Sequence, residues 1–187
     1  MAGRVLFLTQ WFEPEPAMKG IKFVRALIDA GFDVEVATGF PNYPSGKVAE
    51  GYRLRPYQKD RMDGVFVHRL FLFPSHDGSS LGRAVNYLSF FLSALTFCLL
   101  RGRRYDAVYV YHPPITVGLA AALAGMVTRR PFLLEVQDLW PDLIAASGMA
   151  GTDRISQVLG PICRFVYLRA AVVIGQSKGM TARLIQR

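Results

Sequence analysis

The first 40 residues contain a strand, a helix and a second strand in close succession, and this pattern constrains the fold more than any other feature. Residues 4–9 and 33–38 are short, β-prone apolar runs. Between them, apolar side chains recur at helical spacing: Ile21, Val24 and Ile28. Parallel neighbours need a crossover connection of this kind, so the unit predicts a parallel sheet.

The rest of the chain repeats the alternation of strands and helices. Further strands are predicted over 65–73, 107–111, 132–136 and 171–175. Helices are predicted over 84–100, 115–128 and 155–168, from Asp142 to about Met149, and from Gly179 onward. Residues 39–64 are predicted to be a long polar loop. The length suits one domain, residues 1–187, of the α/β class.

Charge and cysteine content limit the partners and the compartment. Lys and Arg outnumber Asp and Glu by 22 to 14, and the net charge of +8 favours phosphates or acidic lipid headgroups. No zinc-finger, basic-zipper or RNP-type motif is present, so no nucleic-acid partner is expected. The two cysteines form no disulfide framework, and the N-terminal apolar run is too short for a signal peptide. We therefore expect a cytoplasmic protein.

Residues 135–142 begin at the end of a predicted strand. Directly after the strand they contain two carboxylates, an indole and a proline. Ligands of open parallel sheets bind where strands end. Asp138 is the leading catalytic candidate, because a carboxylate there can accept a proton from an acceptor hydroxyl. The alternative is a helix N-cap, a role that Asp142 can also fill. Trp140 is a candidate for stacking on a sugar, or else a buried anchor.

Other candidates lie near other predicted strand ends. His112 is interpreted either as a polar contact or proton-transfer group, or as a histidine bonded locally beside two prolines. Asn42 and Tyr43 suit hydrogen bonding to a polar acceptor, although a turn-forming Asn is the simpler interpretation. Glu13 shares the same strand-end face, in a loop that can equally be solvated.

The longest uncharged run covers residues 84–100, at the lower edge of the length that crosses a membrane. Three interpretations stay open: a helix packed on the sheet, a helix whose outer face touches a membrane, and a membrane span. The arginines that follow the run favour contact with anionic headgroups. The predicted membrane-contact residues are Phe90, Phe91, Arg101, Arg103 and Arg104.

Several common catalytic signatures are missing from the sequence. It has no Gly-x-Gly-x-x-Gly after the first strand, no Walker motif and no Gly-x-Ser-x-Gly elbow. His68 and His76 have no partner at metal-ligand spacing, so no metal site is expected.

Three segments resemble retaining glycosyltransferases of family GT4, in particular the branch that builds O-antigen, capsule and colanic-acid sugars. Residues 40–46, followed by Gly51-Tyr52, resemble its FPNYPxG…GY segment. Pro113-Pro114 with Val117-Gly118 resembles its SPP…VG turn. Residues 135–142 resemble its EVRDLWPES segment.

The resemblance implies the N-terminal half of a GT-B fold, a Rossmann-like parallel sheet with helices on both faces that mainly holds the acceptor. The nucleotide-sugar would be bound by a C-terminal domain with an E-x7-E motif, which this sequence lacks, so the chain alone is expected to be inactive. The family usually has a Gly-Gly pair near the donor phosphate, where this chain offers only Gly20, with Lys19 as a partial substitute by charge. His112 stands where Ser is commoner in the family.

Two functions remain open. The first is the acceptor-binding half of a metal-independent glycosyltransferase without a cofactor, acting on a lipid-linked or lipopolysaccharide-type saccharide at the inner face of the cell membrane. The second is a non-catalytic, membrane-associated subunit that recruits a separate donor-binding partner. A reading frame that continues into an E-x7-E motif would support the first, and a stop codon the second. A periplasmic-type binding protein is a weaker third interpretation.

Overall fold

A computed structural model describes residues 2–75, 80–140 and 152–186 of the chain. The strands are β1 (Arg4–Leu8), β2 (Asp33–Gly39), β3 (Tyr57–Met62), β4 (Val65–Leu70), β5 (Ala107–His112), β6 (Phe132–Val136) and β7 (Val172–Gly175). The helices are α1 (Ile21–Asp29), α2 (Ser80–Arg101), α3 (Ile115–Thr128), α4 (Thr152–Arg169) and α5 (Lys178–Ile185). A 3-10 turn, Gly102–Arg104, follows α2. The helix predicted between Asp142 and Met149 lies outside the described residues.

The strands form one sheet in the order β3-β4-β2-β1-β5-β6-β7. Only the β3–β4 pair is antiparallel. The six parallel strands alone follow the doubly wound order of Rossmann folds, which reverses its direction between β1 and β5. The prediction of a Rossmann-like parallel sheet is confirmed.

Strand β3 corrects the prediction of an uninterrupted loop over residues 39–64. It is an edge strand of mainly polar residues and pairs only with β4, so it carries no apolar run for a sequence pattern to reveal. Asp63 and Gly64 join the two strands, with φ of 47° and 83°. Two consecutive positive φ values are typical of a type I′ hairpin turn, for which Asp-Gly is a preferred pair. The Asp-Gly dipeptide is therefore the sequence feature from which this hairpin could have been predicted.

Helices cover both faces of the sheet. Helix α1 packs through Val24 over one face, where the smaller core contains Phe7, Val36 and Val67. Helices α2, α3 and α4 cover the other face and bury the larger core. Gly118 lets α3 pack closely against α4, because a Cβ at position 118 would lie 2.9 Å from a methyl carbon of Val166 in α4.

Helix α2 packs with one side on the larger core and leaves the other side in solvent. Phe90 is completely buried, so the prediction that it contacts a membrane is wrong; Phe91 is partly buried against the same core. Positions at helical spacing from Phe90, namely Ala94 and Phe97, point inward as well. By length and composition alone, the segment from Leu81 to Arg104 could cross a membrane, and 28% of its apolar 18-residue window is buried.

Candidate functional site

A crevice of about 330 Å³ opens at the carboxyl ends of the parallel strands, beside the point where the strand order reverses. Ligands of doubly wound sheets bind at this position. Loops after β1, β2, β5, β6 and β7 contribute to it. Its lining consists of Trp11, Pro16, Ala17, Met18, Tyr43, Tyr111, Pro113, Gln137, Asp138 and Gln176.

Asp138 lies in the crevice wall two residues after β6, where it was predicted. Burial raises the pKa of its carboxyl above the ordinary value. Within the described part of the chain, no group donates a hydrogen bond to this carboxylate, and only its backbone carbonyl is used, by the Trp140 N–H. The side chain is therefore available to accept a hydrogen bond or a proton from a ligand.

An aromatic cluster forms the opposite part of the crevice. The Trp11 ring centroid lies 5.5 Å from that of Tyr43 and 6.5 Å from that of Tyr87, the latter edge to face. Burial raises the pKa of Tyr87, the Arg83 charge opposes part of this rise, and the Asp138 charge adds to it. Burial likewise raises the pKa of Tyr111 to about 12, so both phenols stay protonated at neutral pH and can donate hydrogen bonds.

Glu15 fixes the two loops that carry this aromatic cluster. Its carboxylate is buried and accepts backbone N–H bonds from Phe12, Asn42 and Tyr43, the last two at 2.7 Å. Burial raises the pKa of Glu15, while these N–H donors and the Arg69 charge oppose the rise. The loop after β1 and the loop after β2 are thus joined beneath Tyr43.

Asn42 is buried rather than presented to the crevice. Its amide donates to the Phe40 carbonyl and accepts a weak bond, at 3.4 Å, from Asn86 of α2. Asn86 in turn accepts a 2.6 Å bond from Gln10. These amides join the loop after β1, the loop after β2 and α2, so the loop-forming interpretation of Asn42 fits the structure. Tyr43, in contrast, lines the crevice.

Glu13 and Gly20, both predicted to contact substrate, contact each other. The Glu13 carboxylate accepts a 2.8 Å bond from the Ile21 N–H, at the start of α1, where the helix dipole favours an anion. A Cβ at position 20 would lie 1.8 Å from a Glu13 carboxylate oxygen. Gly20 therefore makes room for this carboxylate, and the helix start is occupied by the protein itself.

Lys19 is paired with a carboxylate. Its ammonium lies 2.5 Å from Glu135 of β6 and 4.2 Å from the centre of the Phe23 ring. The predicted use of its charge near a phosphate thus competes with an existing ion pair.

Two remaining candidates have different outcomes. Trp140 does not line the crevice and packs, partly buried, against the larger core, which supports the interpretation as an anchor. His112 is the last residue of β5, next to the crevice residue Pro113, but its side chain lies outside the described residues, as do Asp142 and His76.

Over the described ranges, no group of three His, Cys, Asp or Glu side chains could hold a metal.

The sequence interpretation missed Trp11, Tyr111, Gln137 and Gln176 as lining residues. All four lie within three residues of the end of a parallel strand. Taking every polar or aromatic side chain at such positions, rather than only those in motifs, would have identified them.

Comparison with solved structures gives weak likenesses. The chain is 17% identical to Anabaena Alr3699/HepE in complex with UDP, with a TM-score of 0.45, and 16% identical to the same protein with UDP-glucose, also at 0.45. It is 15% identical to the SurE protein from Aquifex aeolicus, with a TM-score of 0.38 and coverage of 84% of this chain and 60% of that one. The two Anabaena comparisons each cover 98% of this chain, which spans 40% of those chains.

Comparison with curated proteins gives no match. A family model does match, over residues 22–187, and its description is "Glycosyl transferase 4-like domain". This range includes the crevice strands β5 and β6, with Asp138, and almost the whole of the fold. The chain therefore belongs to the glycosyl transferase 4-like domain family.

Proposed function

We propose that this chain is the acceptor-binding domain of a retaining glycosyltransferase, which transfers a sugar from a nucleotide-sugar to a lipid-linked or lipopolysaccharide-type saccharide. The observation that carries the proposal is the Asp138 carboxylate, which faces the strand-end crevice without a hydrogen-bond donor from the described residues. Transfer breaks the bond between the sugar and its nucleotide diphosphate, which leaves, and forms a bond from the sugar to an acceptor oxygen. The acceptor hydroxyl loses its proton in this step, and a positioned carboxylate can take it. The raised pKa of Asp138 strengthens it as a base.

The aromatic cluster supports a saccharide as the acceptor. Trp11 and Tyr43 offer ring faces, while the Tyr111 phenol and the Gln137 amide oxygen offer hydrogen bonds along the same crevice. Apolar walls with a few polar groups are typical of small-molecule sites. In this proposal the donor is bound mainly by a second domain outside these 187 residues, and no metal takes part.

The solvent side of α2 supports a location at the inner face of the cell membrane. It carries exposed apolar side chains over almost its full length: Leu81, Val85, Leu88, Leu92, Leu99 and Leu100. Arg101 ends the helix, and Arg103 and Arg104 follow in the 3-10 turn. An apolar stripe with cations at one end suits the boundary of an anionic bilayer.

Substitution of Asp138 tests the proposal. The complete protein, supplied with bacterial membranes and a panel of radiolabelled nucleotide-sugars, should lose about 10²–10⁴-fold in transfer rate as D138A or D138N. D29A is the matched control, since Asp29 is exposed at the end of α1, and it should keep full activity. Undiminished transfer by D138A would remove Asp138 from the mechanism. Transfer that appears only after a separate donor-binding protein is added would favour the alternative, a recruiting subunit.

A further inference from the structure

A second cavity lies away from the crevice, between the β3–β4 hairpin and the second half of α2. It is a groove of about 520 Å³. Leu70 and Phe71 line it from the sheet side, and Leu92 and Leu100 from the helix side. Arg101 lies at the end of α2 and also lines it. Most of the groove surface is therefore apolar, with a cation beside it.

The cation that lines this groove, Arg101, has aromatic rather than acidic neighbours. Its guanidinium lies 5.5 Å from the Tyr57 ring centre and 5.7 Å from the Phe97 ring centre. In the described part of the chain, no carboxylate lies within 4.0 Å of it. Its charge is available to an anion.

Hydrogen bonds to buried residues hold Tyr57, in one wall of the groove, in place. The Tyr57 hydroxyl lies 2.7 Å from His68 Nδ1, and His68 Nε2 lies 2.8 Å from Glu35. His68 is fully buried, so it cannot move away with Tyr57 into solvent. The groove is thus pre-formed rather than opened by a ligand, which lowers the cost of binding.

We propose that this groove binds one hydrocarbon chain of an anionic lipid, with the headgroup at Arg101. The combination of an apolar channel and a cation without a carboxylate partner matches an amphiphile that has a chain and a phosphate. An extended peptide suits it less, because buried peptide groups need hydrogen bonds and the apolar walls offer few. The inference rests on the proposed membrane location of the domain, but its test needs no sugar transfer.

Alkyl phosphates below their micelle concentration provide the probe, with binding to the protein measured by calorimetry. Affinity should rise about fourfold for each added methylene from octyl to dodecyl phosphate, the gain expected for burying a methylene. S93F places a ring in the groove and should weaken dodecyl phosphate binding at least about tenfold. V85F places the same ring on α2 outside the groove and should leave affinity unchanged. R101Q should weaken binding about threefold.

Three results would overturn the proposal: affinity independent of chain length, equal effects of S93F and V85F, or inorganic phosphate binding as tightly as dodecyl phosphate. The chain-length series uses the unmodified protein, so it stays decisive if a variant folds poorly. Vesicles of phosphatidylcholine and phosphatidylglycerol separate this inference from the function. A protein that binds vesicles and transfers sugar, yet ignores alkyl phosphates, has the proposed function without the lipid groove.

Discussion

The Lys19 ammonium lies 2.5 Å from the Glu135 carboxylate although 116 residues separate them in the chain. The Tyr109 hydroxyl and the Gln137 amide also donate to Glu135. The four side chains tie the loop after β1 to the strand that delivers Asp138. Burial, together with this bond to Glu135, raises the pKa of Tyr109, so the phenol remains a donor at all relevant pH values.

Loss of the cation should cost more stability than loss of the anion. K19M leaves the Glu135 carboxylate, whose side chain is 7% exposed, without a counter-charge, and should lower the free energy of unfolding by about 3 kcal/mol. E135Q leaves an ammonium that is 28% exposed and can turn toward water, so about 1 kcal/mol is expected. Urea unfolding measures both. K22M alters an exposed lysine of α1 and is the control; equal losses in K19M and K22M would contradict the ion-pair argument.

Glu15 gives a second expectation, on the loop that presents Tyr43. Asn42 and Tyr43 both donate to Glu15 Oε1, and Phe12 donates to Oε2. E15A removes both acceptor oxygens, so it should lower the free energy of unfolding by about 1–3 kcal/mol. It should also speed hydrogen exchange at the amides of Asn42 and Tyr43. E50A removes an exposed carboxylate and should do neither. Unchanged exchange in E15A would show that Glu15 does not hold the loop.

The sequence predicted the order of elements well, because apolar periodicity records burial, and burial decides which strands and helices form. It missed β3, an edge strand in which residues 58–61 are all polar and leave no apolar pattern. Periodicity also identified α2 without its orientation, so Phe90 was assigned to the wrong side. An uncharged run contains no charged face to orient it.

The sequence predicted where the site lies but not the contacts between its residues. Asp138 and Tyr43 follow from the rule that ligands bind at strand ends, and both line the crevice. The pairing of Glu13 with Gly20, or of Lys19 with Glu135, depends on which loops meet across the sheet. No local pattern records such contacts between distant segments.

His68 should make stability depend on pH in a defined window. Its Nε2–H must donate to the Glu35 carboxylate, so Nδ1 accepts from Tyr57, which assigns a neutral imidazole. Burial lowers the pKa of His68 below 6.5, the charges of Arg101 and Lys59 lower it further, and Glu35 opposes both. The unfolded chain therefore binds a proton first as the pH falls through 6.5, and stability should fall below that value.

Urea unfolding from neutral pH down to about pH 5 checks this window. H68Q should be less stable at neutral pH but should lose the slope below 6.5, since glutamine does not titrate. Glu35 acts at lower pH. Burial favours a rise in its pKa, but hydrogen bonds from Tyr105 and His68 outweigh it and lower the pKa, so its contribution is lost only below 4.5. A slope that persists between 6.5 and 5 in H68Q would assign it to another group.

The exposed side of α2 gives the last expectation, for the proposed contact with a membrane. Leu88 lies in the middle of the stripe and is 55% exposed, so L88E should leave the fold intact while placing an anion against anionic headgroups. Binding to vesicles rich in phosphatidylglycerol, measured by sedimentation at low salt, should fall at least about tenfold, because apolar burial is lost and charge repulsion is added. V158E places the same charge on α4, at a valine that is 64% exposed, and should bind as the unmodified protein does. Equal binding by L88E and V158E would mean that α2 is not the membrane-facing surface.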